Sequence, residues 1–116
     1  MLTEKDYCDY ETCVALKELG YDDSTDLRYN SYGSLGNFLG GIKAPTLYEA
    51  QKWLREEKNI IVEVFVDDDS DTPITYNIHK DGECVCHHHG KYWSVEEWSE
   101  ALSEGVKCAV KILKEK

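Results

Sequence analysis

From Thr46 onward the chain carries one ordered pattern: helix, three strands, helix. Thr46-Leu47-Tyr48-Glu49 is a capping box, in which the threonine hydroxyl accepts from the third helical N–H and the glutamate reaches back. Leu47, Ala50, Trp53 and Leu54 then form one apolar stripe, so a helix is predicted over 47–58, with Asn59 as a left-handed cap. Ile60 to Val66 is β-branched enough to be a strand. Ile74 to Lys80 is a second strand, Asp81-Gly82 a two-residue hairpin turn, and Glu83 to about His88 a third strand. Ser94-Val95-Glu96-Glu97 is another capping box and opens a helix over 94–114. Its stripe is Val95, Trp98, Ala101, Leu102, Val106, Ala109, Ile112 and Leu113. Gly105 interrupts it at a cost of roughly 1 kcal/mol relative to alanine, which a close helix–sheet contact would explain.

These elements predict an α+β domain. A three-stranded antiparallel sheet is covered on one face by helices 47–58 and 94–114, in the order αβββα. Residues 1–45 are expected to add an N-terminal helix and an irregular loop, at an edge of the sheet or on its other face. Within them, Asp9 to Leu19 reads as a short helix with Cys13, Leu16 and Val14 toward the core and Gly20 as its stop. Leu27 to Tyr32 alternates weakly, as a short strand does. The glycine-rich run from Gly33 to Gly41 lacks the Lys-Ser or Lys-Thr of a phosphate loop and reads as a flexible or hairpin loop. At 116 residues the whole chain, 1–116, is expected to form a single domain.

The net charge is −10, with 23 acids against 13 Lys and Arg. Affinity for nucleic acid comes largely from cations on phosphates, so direct nucleic-acid binding is not expected. A protein partner with a basic surface fits this charge better. No apolar run reaches a membrane span, and the acidic start Met1-Leu2-Thr3-Glu4-Lys5-Asp6 is unlike a signal peptide, so no membrane role and a cytoplasmic location are expected. Five cysteines are an odd number for a disulfide framework, and reduced thiols are expected. The aspartates of Asp67 to Asp71 lack the glycine and closing glutamate of a calcium loop.

A two-residue turn would pair His79 with Cys84, Ile78 with Val85, Asn77 with Cys86 and Thr75 with His88. Cross-strand partners share a face. Ile74, Tyr76, Ile78 and Val85 would then meet the helices, and His79, Cys84, Cys86 and His88 would lie on the opposite face. Two cysteines ~6.8 Å apart along a strand, with His79 opposite one of them, make a candidate zinc site. His88, Cys13 or Cys8 would be the fourth ligand. The competing view makes the cysteines apolar fillers and the histidines solvated strand-end residues, with no cofactor. A Cys84–His79 pair near Asn77 has the neighbours of a nucleophile and base but nothing recognisable as an oxyanion hole, so no enzyme activity is expected.

Trp53 and Trp98 fall on helix stripes and read as core, while Trp93 precedes a helix and is placed to staple its start. Tyr7, Tyr10, Tyr29, Tyr32 and Tyr92 lie in less regular segments, and such aromatics favour protein interfaces. Glu96, Glu97, Glu100 and Glu104 make an acidic face on the last helix, and Glu56 and Glu57 end the first long one, where acids oppose the helix dipole.

The runs Ala44-Pro45-Thr46-Leu47-Tyr48-Glu49-Ala50-Gln51-Lys52-Trp53-Leu54-Arg55-Glu56, Ile60 to Phe65, and Ser94 to Gly105 resemble a group of small uncharacterised α+β proteins of gut Bacteroidota and their phages and mobile elements. Cys8 to Tyr21 also looks like that group's opening helix. The resemblance implies a phage or mobile-element origin and carries no catalytic residues across. The αβββα order also resembles the double-stranded-RNA-binding fold and the HicB-type antitoxin domain, at the level of fold alone. Sparse cations oppose the RNA-binding role. The expectation that remains is a non-enzymatic interaction protein, an inhibitor of a host or bacterial protein. A homodimer through the outer sheet face or an exposed strand edge is the further expectation.

Overall fold

The computed structural model describes residues 2–67, 70–87 and 92–115, and for Cys86 and His87 the backbone alone. Its C-terminal part follows the expected order. Helix α2 (Leu47–Lys58) starts on the predicted box, with Glu49 N–H donating to the Thr46 hydroxyl at 3.1 Å and Thr46 N–H to the Glu49 carboxylate at 2.8 Å. It ends on Asn59 in the left-handed region, φ 53°. Strands β4 (Ile60–Val66), β5 (Ile74–Lys80) and β6 (Glu83–His87) form an antiparallel sheet in the order β4-β5-β6. Asp81 and Gly82 both take positive φ, 53° and 87°, the geometry of a type I′ hairpin turn. A single 3-10 turn (Val95–Glu97) leads into helix α3 (Trp98–Lys114). Helices α2 and α3 pack on each other and on the sheet. Ile60, Val62, Ile74, Tyr76 and Ile78 are buried beneath them.

The N-terminal part departs from expectation. It holds a second three-stranded antiparallel sheet, so the chain has two sheets rather than one αβββα layer pair with an irregular loop. Helix α1 (Tyr10–Glu18) is capped by Asp9, whose carboxylate accepts from Thr12 N–H at 2.8 Å. It closes with Tyr21 N–H donating to Leu16 carbonyl at 2.9 Å and Gly20 N–H to Lys17 carbonyl at 3.0 Å, the Schellman arrangement. Strands β1 (Leu27–Tyr29), β2 (Leu35–Gly36) and β3 (Ile42–Ala44) follow, in the order β2-β1-β3. The glycine-rich run is thus the second half of a hairpin and the crossover that carries the chain past β1. Gly41 makes that crossover possible: it has φ 95°, and a Cβ there would overlap the Tyr29 carbonyl oxygen. Helix α1 packs on β3 and α3, on the helical side of the molecule rather than on the outer face of the larger sheet.

Both parts contribute to one apolar cluster, in which Leu16, Tyr21, Tyr29 and Ala44 join Leu54, Val62, Ile78 and Leu102. Gly105 sits where α3 crosses the sheet. A Cβ there would lie 2.5 Å from Val62 Cγ1 and 3.4 Å from Tyr76 Cδ1, so the close contact expected from the glycine is present. The stripe of α3 differs at its start. Val95 is 63% exposed, because the helix opens with a tighter turn whose period of three residues rotates that position away from the core. The Trp93 ring packs at a tilt of 36° against Tyr76, with centroids 6.0 Å apart, and Trp93 pairs with Ile74 through backbone bonds of 2.8 and 2.9 Å.

One acceptor on the outer edge of β4 is taken by a helix side chain. Asp81 N–H donates to Asn59 carbonyl and Asp67 N–H to Pro73 carbonyl, so the groups of Ile61, Glu63 and Phe65 bond β5 and those of Val62 point away from it. Gln51 on α2 reaches over and donates to the Val62 carbonyl at 2.7 Å.

Candidate functional site

The register of β6 decides the cysteine–histidine cluster. His79 faces Cys84 as expected, but the ladder slips there, and Ile78 pairs with Cys86 and Asn77 with His87. Val85 is the extra residue of a β-bulge. The expected pairing of Ile78 with Val85 is therefore replaced, and Val85 is 46% exposed instead of meeting the helices. Simple alternation, which would give Cys84 and Cys86 the same face, does not run through this segment. His88 lies outside the described residues.

On the outer face, His79 Nε2 lies 3.3 Å from Glu63 Oε1. Glu63, on the neighbouring strand, is the partner that sequence reasoning missed when it placed Asn77 beside the histidine. Cys84 is exposed, as is Ile61 next to His79 on β4. Cys8 and Cys13, offered as further ligands, belong to the buried N-terminal core instead. Cys13 Sγ donates to the Cys8 carbonyl at 3.5 Å. The hydrogen bond from Cys13 and burial both push the Cys8 thiol well above the ordinary range, which makes it a packing group rather than a nucleophile. Among the described residues no three of His, Cys, Asp and Glu converge as a metal ion requires.

A second surface lies on the solvent side of α3. Glu96 and Glu100 are exposed and Glu104 half-buried, and none of the three enters an ion pair among the described residues. Glu97 is engaged locally: Ser94 N–H and its hydroxyl both donate to the Glu97 carboxylate at 2.9 Å, and that backbone bond, first, holds its pKa below the usual carboxylate value. Beside these acids opens a cavity of about 760 Å³, within the size range of ligand sites. Tyr7 and Tyr29 line it from the N-terminal part, and Ser99, Glu100, Ser103 and Lys107 from α3. Ser99 donates to Asp6 at 3.2 Å, and Tyr29 donates its hydroxyl to the Cys8 carbonyl at 2.8 Å, with burial pushing its phenol up to about 12. The cavity could not be read from sequence, because its walls come from residues about a hundred positions apart.

Asp9 links the two walls, pairing with Lys107 at 3.1 Å while it caps α1. Burial pulls its pKa upward, but the Thr12 hydroxyl and N–H and the Lys107 ammonium outweigh that and hold it below the ordinary value. A depressed folded pKa contributes stability that is complete above the unfolded pKa, about 3.9, and is lost as pH falls through the folded one. Asp9→Ala is therefore expected to cost about 1 kcal/mol at pH 7, with the deficit shrinking below about pH 4. Urea unfolding of both proteins at pH 7 and pH 3 checks this, and an equal deficit at the two pH values contradicts it.

Comparison with family models, with curated proteins and with solved structures finds no match for this chain.

Proposed function

We propose that this is a non-enzymatic interaction domain that binds a protein through the solvent side of α3, with a basic segment of the partner as the complementary element. The observation that carries this reading is the excess of acid there: Glu96 in the 3-10 turn and Glu100 and Glu104 on α3, with no direct ion pair among the described residues and Lys107 as the cation that acts on Glu104, lie beside exposed Val95 and the large cavity. An acidic surface of this kind steers a basic partner and selects against acidic ones. An apolar residue among them supplies contact area that charge alone does not. An inhibitor that occupies the basic surface of a bacterial or host protein is the form this activity takes.

The test is affinity capture from bacterial lysate at low and at moderate salt, with bound proteins identified by mass spectrometry. The wild type is expected to retain a small set of basic proteins, and Glu96→Gln/Glu100→Gln/Glu104→Gln to lose them. Added salt weakens retention, since exposed charges are screened within about 10 Å at 0.1 M ionic strength. Equal retention by the triple variant, or no retention of any basic protein, refutes the reading.

A further inference from the structure

We infer that a second, smaller cavity, between the end of α1 and the N-terminal sheet, is an anion site for a phosphate or carboxylate group of a small molecule. It encloses about 210 Å³ and is lined by Lys17, Arg28 and Lys43, with Asp22 as its acid. Three of the chain's 13 cationic side chains thus converge on one small space in a protein of net charge −10.

The convergence opposes local stability. Arg28 and Lys43 are direct cross-strand partners in β1 and β3. Like charges placed opposite each other across a ladder destabilise it. Asp22 compensates little: it pairs with Lys43 at 3.1 Å, yet its side chain is 93% exposed, and an ion pair so open to water contributes little. Lys43 also donates to the Asp22 backbone carbonyl at 2.7 Å, which fixes the ammonium at the cavity. Lys17 and Arg28 enter no ion pair among the described residues. The helix dipole explains a lysine in the last turn of α1. It does not explain a half-buried arginine opposite a lysine in a pair of three-residue strands.

An anion in the cavity removes this conflict. The guanidinium offers a planar fork that matches phosphate or carboxylate oxygens, and the two ammonium groups add charge from the sides. The space suits the acidic group itself rather than a whole nucleotide or drug-sized ligand, whose sites run to about 300–1,000 Å³. The site is independent of the partner surface on α3 and stands whether or not that surface binds a protein.

The experiment uses inorganic phosphate and succinate as separate probes, each against sodium chloride at matched ionic strength. Thermal unfolding and NMR titration of the Gly41 and Lys43 amides are the readouts. One probe is expected to raise the melting temperature above the chloride control with saturable amide shifts, and which one does so separates a phosphate ligand from a carboxylate ligand. Lys17→Gln, a change on the exposed surface of α1, is expected to weaken the effective midpoint by about tenfold, the value of one charge-assisted hydrogen bond. Arg28→Gln is expected to abolish the rise and, in anion-free buffer, to melt higher than the wild type, because the repulsive pair is gone. A structural arginine would give the opposite sign in that buffer. No rise beyond chloride with either probe, or a full rise retained in Arg28→Gln or Lys17→Gln, overturns the assignment.

Discussion

Replacing Trp53 with alanine is expected to lower the unfolding free energy by about 3–5 kcal/mol, the usual cost of removing a buried tryptophan. Trp53 is 7% exposed on the buried stripe of α2. Its ring meets Tyr21 edge-on, with centroids 5.3 Å apart at 66°, and Lys58 Nζ lies 5.6 Å from the ring centre. The lysine contact is at the surface and contributes the smaller share. The Tyr21 contact matters more, because Tyr21 directly follows α1 and carries the packing of the N-terminal part onto α2. Domains of this size have total stabilities of about 5–15 kcal/mol, so the loss is a large fraction of the whole. Urea unfolding followed by circular dichroism measures it. The transition is expected to remain single, with the midpoint lowered, since both parts share one apolar cluster. A loss below about 1 kcal/mol would show that the ring is not part of that cluster, and two separate transitions would show that the parts unfold independently.

Gly105→Ala is expected to destabilise the protein by about 2 kcal/mol although alanine is the better helix former by about 1 kcal/mol. The added methyl would stand 2.5 Å from Val62 Cγ1. Val62 is buried and β-branched, so its χ1 is restricted and its side chain has little room to give way. Overpacking of this kind costs about 1–3 kcal/mol, and the short contact places it at the upper end before the helix gain is subtracted. The companion Val62→Ala removes the obstructing methyls. The pair is expected to couple favourably by at least about 1 kcal/mol, the double variant being more stable than the sum of the two losses implies. Strict additivity would mean that α3 shifts away from the sheet and the contact is not what requires glycine.

The parts of the fold that were legible in the sequence are those fixed by neighbours along the chain. The box at Thr46 and Glu49, the left-handed Asn59 and the Asp81-Gly82 turn each need particular residue types within two or three positions. The bulge at Val85 has no such signature. It is a relation between two strands, and one extra residue was enough to carry Val85 out of the core. Val95 misled for a related reason, since a 3-10 first turn and an α-helical one share the same capping residues but rotate the chain differently. The strands Leu35–Gly36 and Ile42–Ala44 are too short for a period to show; they are defined by pairing with β1, where buried Tyr29 lies between Leu35 and Ile42. The candidate sites were the least legible. Asp9 meets Lys107, and Arg28 meets Lys43, only after the chain has folded, so neither surface leaves a spacing motif.

The bond from Gln51 to the Val62 carbonyl makes the outer rim of β4 a poorer template for another strand. With a helix side chain seated on the outer rim of β4, an incoming strand finds no continuous row of acceptors on that side. Among the described residues the sheet ends at β6 on the other side. An approaching strand, a second copy of this chain included, would therefore have to displace the Gln51 amide before it could use the whole β4 rim.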